Sequence, residues 1–230
     1  MIPSAKQQTI TGSDWNRIFQ ALNSWRLKES QQDPSVSTVA ELYSNDPWAV
    51  LVSTILSLRT KDEVTLETSK CLLEKAPTPE KLNTMKEKDV AALAYPAGFY
   101  RTKAASLKKI AKILIDQYSG KVPADMENLL ALPGVGRKTA NLVLIEAFGK
   151  PGVCVDIHVH RITNRCGWLV SKTPDETEMI LRKILPEKYW KSINAMLVLY
   201  GQKLCRPVSP FCSCCVIKKF CRQIGVERSR

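Results

Sequence analysis

No apolar run in this chain of 230 residues approaches the length needed to span a bilayer, and its polar start, MIPSAKQQTITGS, lacks a signal-peptide core. No membrane partner is expected, and the expected location is the cytoplasm. No stretch alternates convincingly between apolar and polar residues, which removes the strand signal and leaves an all-α class. Internal repeats and low-complexity segments are missing too, which excludes a solenoid, and nothing in the composition marks a domain boundary. Histidine is nearly absent. His158 and His160 are the two, and at i, i+2 they fall on different faces of a helix, so they are not expected to share a metal. His158 reads instead as a local hydrogen-bonder.

What the chain has is positive charge. A net charge of +12 and a pI near 9.4 favour a polyanionic partner, although acidic lipid or RNA would satisfy charge alone. The hydrophobic fraction of 44% and charged fraction of 24% fit a globular protein of one large or two small domains. Eight cysteines in a reducing compartment should not pair as disulfides, so a clustered group points to a metal. Cys205, Cys212, Cys215 and Cys221 form that group, spaced C-x6-C-x2-C-x5-C. Four close thiolates can hold tetrahedral zinc or a 4Fe–4S cluster, and spacing alone does not choose between them. Cys214 reads as a spare thiol, and Cys71, Cys154 and Cys166, set among apolar residues, as core side chains. Residues 201–230 carry seven Lys or Arg against one acid, with Arg206 inside the loop closed by the first two cysteines. A metal there would clip a basic loop into shape for phosphate contact.

Helical periodicity runs through the chain. Trp15, Ile18, Phe19, Leu22 and Trp25 form one stripe behind a Ser13 cap, and Glu29–Thr38 is polar and rich in turn formers. Asp46-Pro47 opens a helix from Trp48 to Ser57 that is apolar nearly all round and should be buried. After Ser57–Asp62 comes a helix with Val64, Thr68 and Cys71 on one face, then a shorter one over Glu87–Ala94. Pro96-Ala97-Gly98-Phe99-Tyr100 leads into a long helix carrying Ala104, Leu107, Ala111 and Leu114, and Glu127–Leu132 reads as the first helix of a hairpin. Further on, Thr173-Pro174-Asp175-Glu176 is a capping box with proline at the first helical position, and Tyr189, Ile193, Met196, Leu197 and Tyr200 line the helix after it.

The hairpin turn is Leu132-Pro133-Gly134-Val135-Gly136. Proline fixes one dihedral, and the glycines permit positive φ and close approach of the backbone to something outside. Ala140, Val143, Leu144 and Ala147 then mark a helix ending near Gly149. A glycine turn feeding a helix N-terminus offers free N–H groups and a positive dipole end, which suits a phosphate. Leu132, Gly134, Val135, Gly136 and Arg137 are the candidate contacts. Lys138 stands in the first turn of that helix, and Asp156 stands where it would cap the next, Ile157–Cys166. Without the cysteines, this is a helical hairpin with a solvated lysine and a capping aspartate.

With them, LPGVGRKTANLVL and VDIHVHR resemble the endonuclease III family of the helix-hairpin-helix DNA glycosylase superfamily, and the likeness runs without obvious gaps from about Asp46 to Cys221. The resemblance implies a two-lobed fold. Residues 40–150 would form a helical barrel lobe with the hairpin, and residues 1–39 with 151–230 a lobe holding a 4Fe–4S cluster on the four spaced cysteines. It implies a monomeric, nucleoid-associated DNA N-glycosylase and AP lyase of base excision repair. The substrate would be double-stranded DNA bearing oxidised or ring-saturated pyrimidines or abasic sites.

In that chemistry the nucleotide is flipped into a pocket, the Lys138 amine attacks C1′ and ends as a Schiff base, and the Asp156 carboxylate stabilises the oxocarbenium-like sugar. Loss of the C2′ proton then expels the 3′ phosphate. Lys138 is what separates this reading from a monofunctional mismatch glycosylase; a non-enzymatic DNA-binding protein with a structural metal is the other alternative. Two positions depart from the familiar bacterial pattern. Arg59 stands where a gap-filling glutamine is expected, and Phe99 where a wedging leucine is, though either side chain can stack on bases. Arg206 completes the expected DNA contacts.

Overall fold

The computed structural model describes residues 10–28 and 35–230, all helix, turn or irregular backbone with no strand among them. The chain divides into two units, Asp33–Gly152 and Met1–Gln32 with Val153–Arg230.

The first unit is built on α3 (Pro47–Ser57). Asp46 caps it by accepting a hydrogen bond from the Ala49 N–H at 2.8 Å, and Pro47 occupies a first-turn position where no amide is needed. All nine residues from Trp48 to Leu56 are buried, as an all-round apolar helix requires. The Trp48 indole finds its acceptor at the Ala76 carbonyl, 3.2 Å away.

Around α3 pack α2 (Ser35–Leu42), α4 (Asp62–Lys75), α7 (Tyr100–Tyr118) and α9 (Arg137–Phe148); α5 (Pro79–Thr84), α6 (Glu87–Ala94) and α8 (Met126–Leu130) complete the unit. Of the stretch read as turn-rich, residues 29–34 lie outside the described residues and the rest is helix. In α2, Val36, Val39 and Ala40 make a short buried stripe, while the Ser35 hydroxyl donates to the Asp62 carboxylate at 2.8 Å. Three apolar positions among small polar residues were too weak a periodic signal. Cys71 also departs from expectation: it is exposed, because the face of α4 that turns inward is Thr65, Thr68, Ser69, Leu72 and Leu73. Cys154 and Cys166 are buried.

In the second unit, α1 (Gly12–Lys28) packs with α10 (Ile157–Cys166), α11 (Pro174–Ile184) and α12 (Trp190–Lys203) through aromatic side chains. Trp15 meets Trp168 edge-on at 5.0 Å, Phe19 stacks on Tyr189 at 3.9 Å, and Trp25 meets Tyr200 edge-on at 4.9 Å. Buried indoles need acceptors, and Trp15 and Trp168 find the carbonyls of Ile184 and Phe220. The cap of α1 is Thr11 rather than Ser13. Its hydroxyl accepts from the Asp14 N–H, and its own N–H donates to the Asp14 carboxylate. Thr173 caps α11 as expected, accepting from the Glu176 N–H at 3.2 Å. Tyr189 falls in a 3-10 turn, Glu187–Tyr189, just ahead of α12.

Candidate active site

The turn between α8 and α9 is shaped by Gly134, whose φ of +82° only glycine adopts without strain. A Cβ there would lie in ordinary contact with Ser106 of α7, so it is the backbone conformation that calls for glycine. Leu132 and Val135 turn inward, 2% and 7% exposed, so these two expected DNA contacts have no side chain to offer. The Val135 N–H is taken by the Leu132 carbonyl at 3.1 Å. Outward presentation is left to Gly134 and Gly136. Gly136 is the N-cap of α9 in an extended conformation, with open space where a Cβ would be. Arg137 and Lys138 are the first residues of α9, and Lys138 is exposed. The arrangement puts donors, a helix dipole and two cations at one point.

Arg59 and Phe99, from separate loops, come together in the same unit. Both adopt left-handed backbone, φ +53° and +57°, both are exposed, and the Arg59 guanidinium lies 5.5 Å from the Phe99 ring centroid. Phe99 is the N-cap of α7, seven residues ahead of the Ser106 that underlies Gly134, so the pair and the hairpin are about 10 Å apart along one helix.

In the other unit Asp156 is the N-cap of α10. One carboxylate oxygen accepts from the N–H groups of His158 at 2.8 Å and Val159 at 3.0 Å, which holds a carboxylate only 8% exposed at the positive end of the helix. The His158 contribution to this turn is its backbone amide, since its ring meets the Arg161 guanidinium at 3.0 Å. His160 faces elsewhere, toward Thr177 at 2.7 Å, so the two histidines do not converge.

The same α10 grips the cysteine loop. Arg161 donates to the carbonyls of Gly201 and Cys205, and Arg165, four residues on, to the carbonyls of Arg206 and Pro207 and to the Cys205 sulfur. Tyr200 donates its hydroxyl to the Cys215 sulfur at 3.2 Å, and the Gln223 N–H donates to the Cys221 sulfur at 3.3 Å. Burial, reinforced by the Cys215 sulfur, holds the Tyr200 phenol far above its ordinary range, so it stays a donor. Cys221 is drawn down to about 7, first by a hydrogen bond from Cys166 and then by the Gln223 amide and Arg165, against burial. Burial pushes the thiols of Cys205 and Cys215 up.

Among the described residues no three His, Cys, Asp or Glu side chains are drawn together tightly enough to share one metal ion. What fits an anionic sulfur-ligated group is the donor chemistry: hydrogen bonds on three of the four sulfurs and two guanidiniums behind them. Cys214 is exposed and its thiol faces the Phe211 carbonyl, apart from these donors. Arg206 is exposed, its guanidinium 5.2 Å from the Phe211 ring centroid. Sequence reasoning missed Arg161, Arg165 and Tyr200. Their signal was present as polar groups in the buried register of α10 and α12.

A family model described as HhH-GPD superfamily base excision DNA repair protein matches residues 52–187. Endonuclease III of Thermotoga maritima is 49% identical over 176 residues, 76% of this chain and 83% of that protein. Endonuclease III homolog 2, chloroplastic, of Arabidopsis thaliana is 37% identical over 228 residues, 92% of this chain, which spans 58% of the plant protein's length. A solved structure of a trapped endonuclease III–DNA covalent intermediate, an estranged-adenine complex, is similar with a TM-score of 0.76 at 30% identity, covering 91% of this chain and 96% of that one. The family-model match runs from α3 of the first unit into the second and takes in Arg59, Phe99, Lys138 and Asp156. The chain belongs to the endonuclease III family of the HhH-GPD superfamily and is a DNA glycosylase of base excision repair.

Proposed function

We propose that this glycosylase is bifunctional, removing oxidised or ring-saturated pyrimidines from double-stranded DNA and nicking the strand by β-elimination. The observation that carries the reading is an exposed lysine, Lys138, in the first turn of a helix entered through a glycine turn. The turn's amides and Arg137 would hold a phosphate, which fixes the strand beside the amine. Lys138 would add to C1′, expelling the base with its bonding electron pair, and the resulting Schiff base would acidify the C2′ proton whose loss releases the 3′ phosphate. Asp156 would stabilise the positive charge that develops on the sugar. Arg59 and Phe99 would enter the base stack and support the flipped nucleotide. The similar solved structure is of a trapped covalent intermediate between endonuclease III and DNA, which supports a covalent step. A cytoplasmic monomer working on the nucleoid is part of the proposal.

The test is reduction with borohydride during reaction on a duplex carrying a ring-saturated pyrimidine. A stable protein–DNA adduct is expected, and without reductant a nick. A monofunctional enzyme acting through water would release the base and give neither.

The cysteines Cys205, Cys212, Cys215 and Cys221 would hold a 4Fe–4S cluster, whose contribution is to fix the basic loop that carries Arg206. Purified protein should be yellow-brown and contain iron and acid-labile sulfide. Cys214→Ser should keep both, and Cys215→Ser should lose them, as metal analysis and the visible spectrum would record. Stoichiometric zinc in protein from iron-replete cells would overturn the assignment.

A further inference from the structure

Lys103 lies in the interior of its unit, 6% exposed, with an ammonium group that the chemistry above does not use. Burial lowers its pKa to about 8, and no carboxylate touches it among the described residues. A cation kept inside without a counter-ion costs stability, so its contacts should reveal a purpose. There are two. Its Nζ donates to the Leu56 carbonyl at the C-terminal end of α3, 2.7 Å away, and to the Thr60 hydroxyl, 2.8 Å away.

Thr60 is the other half of the device. Its oxygen accepts from Lys103 and also from the Gly98 N–H at 3.1 Å, while its proton goes to the Leu58 carbonyl at 3.3 Å. One hydroxyl therefore uses its single donor and both acceptor positions. Through it the loop 58–61 and the loop 96–99 are tied to each other and to the first turn of α7. Gly98 completes the join by having no side chain, since a Cβ there would collide with the Arg59 carbonyl oxygen. The residues next to these ties are Arg59 and Phe99, both held in left-handed backbone that neither would choose alone.

We infer that Lys103, through Thr60, is a positioning residue that locks Arg59 and Phe99 into one rigid two-residue wedge for the DNA stack. The inference rests on the wedge reading given under Proposed function and adds what holds the wedge. A stacked duplex resists insertion, and a side chain on a mobile loop loses ordering entropy on entering it. A clamp meets that cost at folding, so loosening it should slow flipping more than bond breaking.

The readout is the ratio of two rates, base release from a duplex lesion over strand cleavage at a pre-formed abasic site. Lys103→Met, which keeps the stem but not the donor, should lower that ratio about tenfold, the scale of one buried hydrogen-bonded group removed. Thr60→Val should do the same with α7 untouched, and Thr60→Ser should restore the ratio. If Lys103→Met fails to fold, the Thr60 pair decides alone. Phe99→Ala and Arg59→Ala should each lower the ratio too, and adding Lys103→Met to the variant carrying both should add nothing further, because the clamp acts only through the wedge.

A loss from Lys103→Met that persists in the variant lacking both wedge side chains, or a Thr60→Val enzyme with the parental ratio, overturns the clamp while leaving the wedge standing. If Phe99→Ala and Arg59→Ala themselves leave the ratio unchanged, the wedge reading falls, and the clamp with it. Fluorescence of a 2-aminopurine placed opposite the lesion gives an independent record, since it brightens on unstacking. It should brighten less with Lys103→Met than with the parent at saturating protein.

Discussion

Lys138→Gln is expected to bind lesion-containing duplex like the parent, to form no borohydride adduct and to leave the strand intact. The substitution keeps a hydrogen-bond donor on a side chain of similar length, and removes the amine and its positive charge, leaving Arg137 and the turn amides for the phosphate. Lys138 is exposed, so folding stability should stay within about 0.5 kcal/mol of the parent. Thermal unfolding measured alongside the assay separates chemistry from folding. The nicking rate should fall on the order of a thousandfold or more, the scale seen when a covalent nucleophile is removed. Gel electrophoresis of an end-labelled strand measures it directly. Nicking at the parental rate would mean that another amine attacks C1′.

Asp156→Asn should fail in a different way. Asn is as good an N-cap as Asp, so the bonds from the His158 and Val159 amides should survive and α10 should keep its start. The fold and the grip of Arg161 and Arg165 on the cysteine loop should therefore persist. What is lost is the negative charge that opposes a positive sugar, so base release should slow by about a hundredfold. At a pre-formed abasic site there is no base to expel, and the Lys138 amine should still trap there slowly. Parental base release by this variant would reduce Asp156 to a helix cap. The two variants thus separate the nucleophile from the electrostatic partner by which substrate each one still traps.

Much of this was legible in the residue order because local chemistry fixed it. Asp46-Pro47 and Thr173-Pro174 opened helices at those positions since a capping oxygen and a pre-set φ act within one turn. The glycine turn, Lys138 in the first turn of α9 and Asp156 at the head of α10 followed from the same short-range rules. Weak periodicity failed where three buried apolar positions had to define a helix, as in α2, and where a cysteine sat at the border of a stripe, as Cys71 does on α4. Lys103 was hidden for a related reason. It occupies the buried register with Leu107, Ile110 and Leu114, and a lysine there reads as surface until its acceptor is known.

By itself the sequence determined the helical class, the caps of α3 and α11, the glycine turn, Lys138 in the first turn of α9, Asp156 at the head of α10 and the spacing of the four cysteines. Each of these is set by residue type and by neighbours no more than a few positions away. Only the tertiary structure decided that Leu132 and Val135 face inward, that α10 holds the cysteine loop through Arg161 and Arg165, and that Arg59 stands on Phe99 over a hydroxyl shared by Lys103 and Gly98. Those facts depend on groups from different elements being packed together, a proximity that no local pattern encodes.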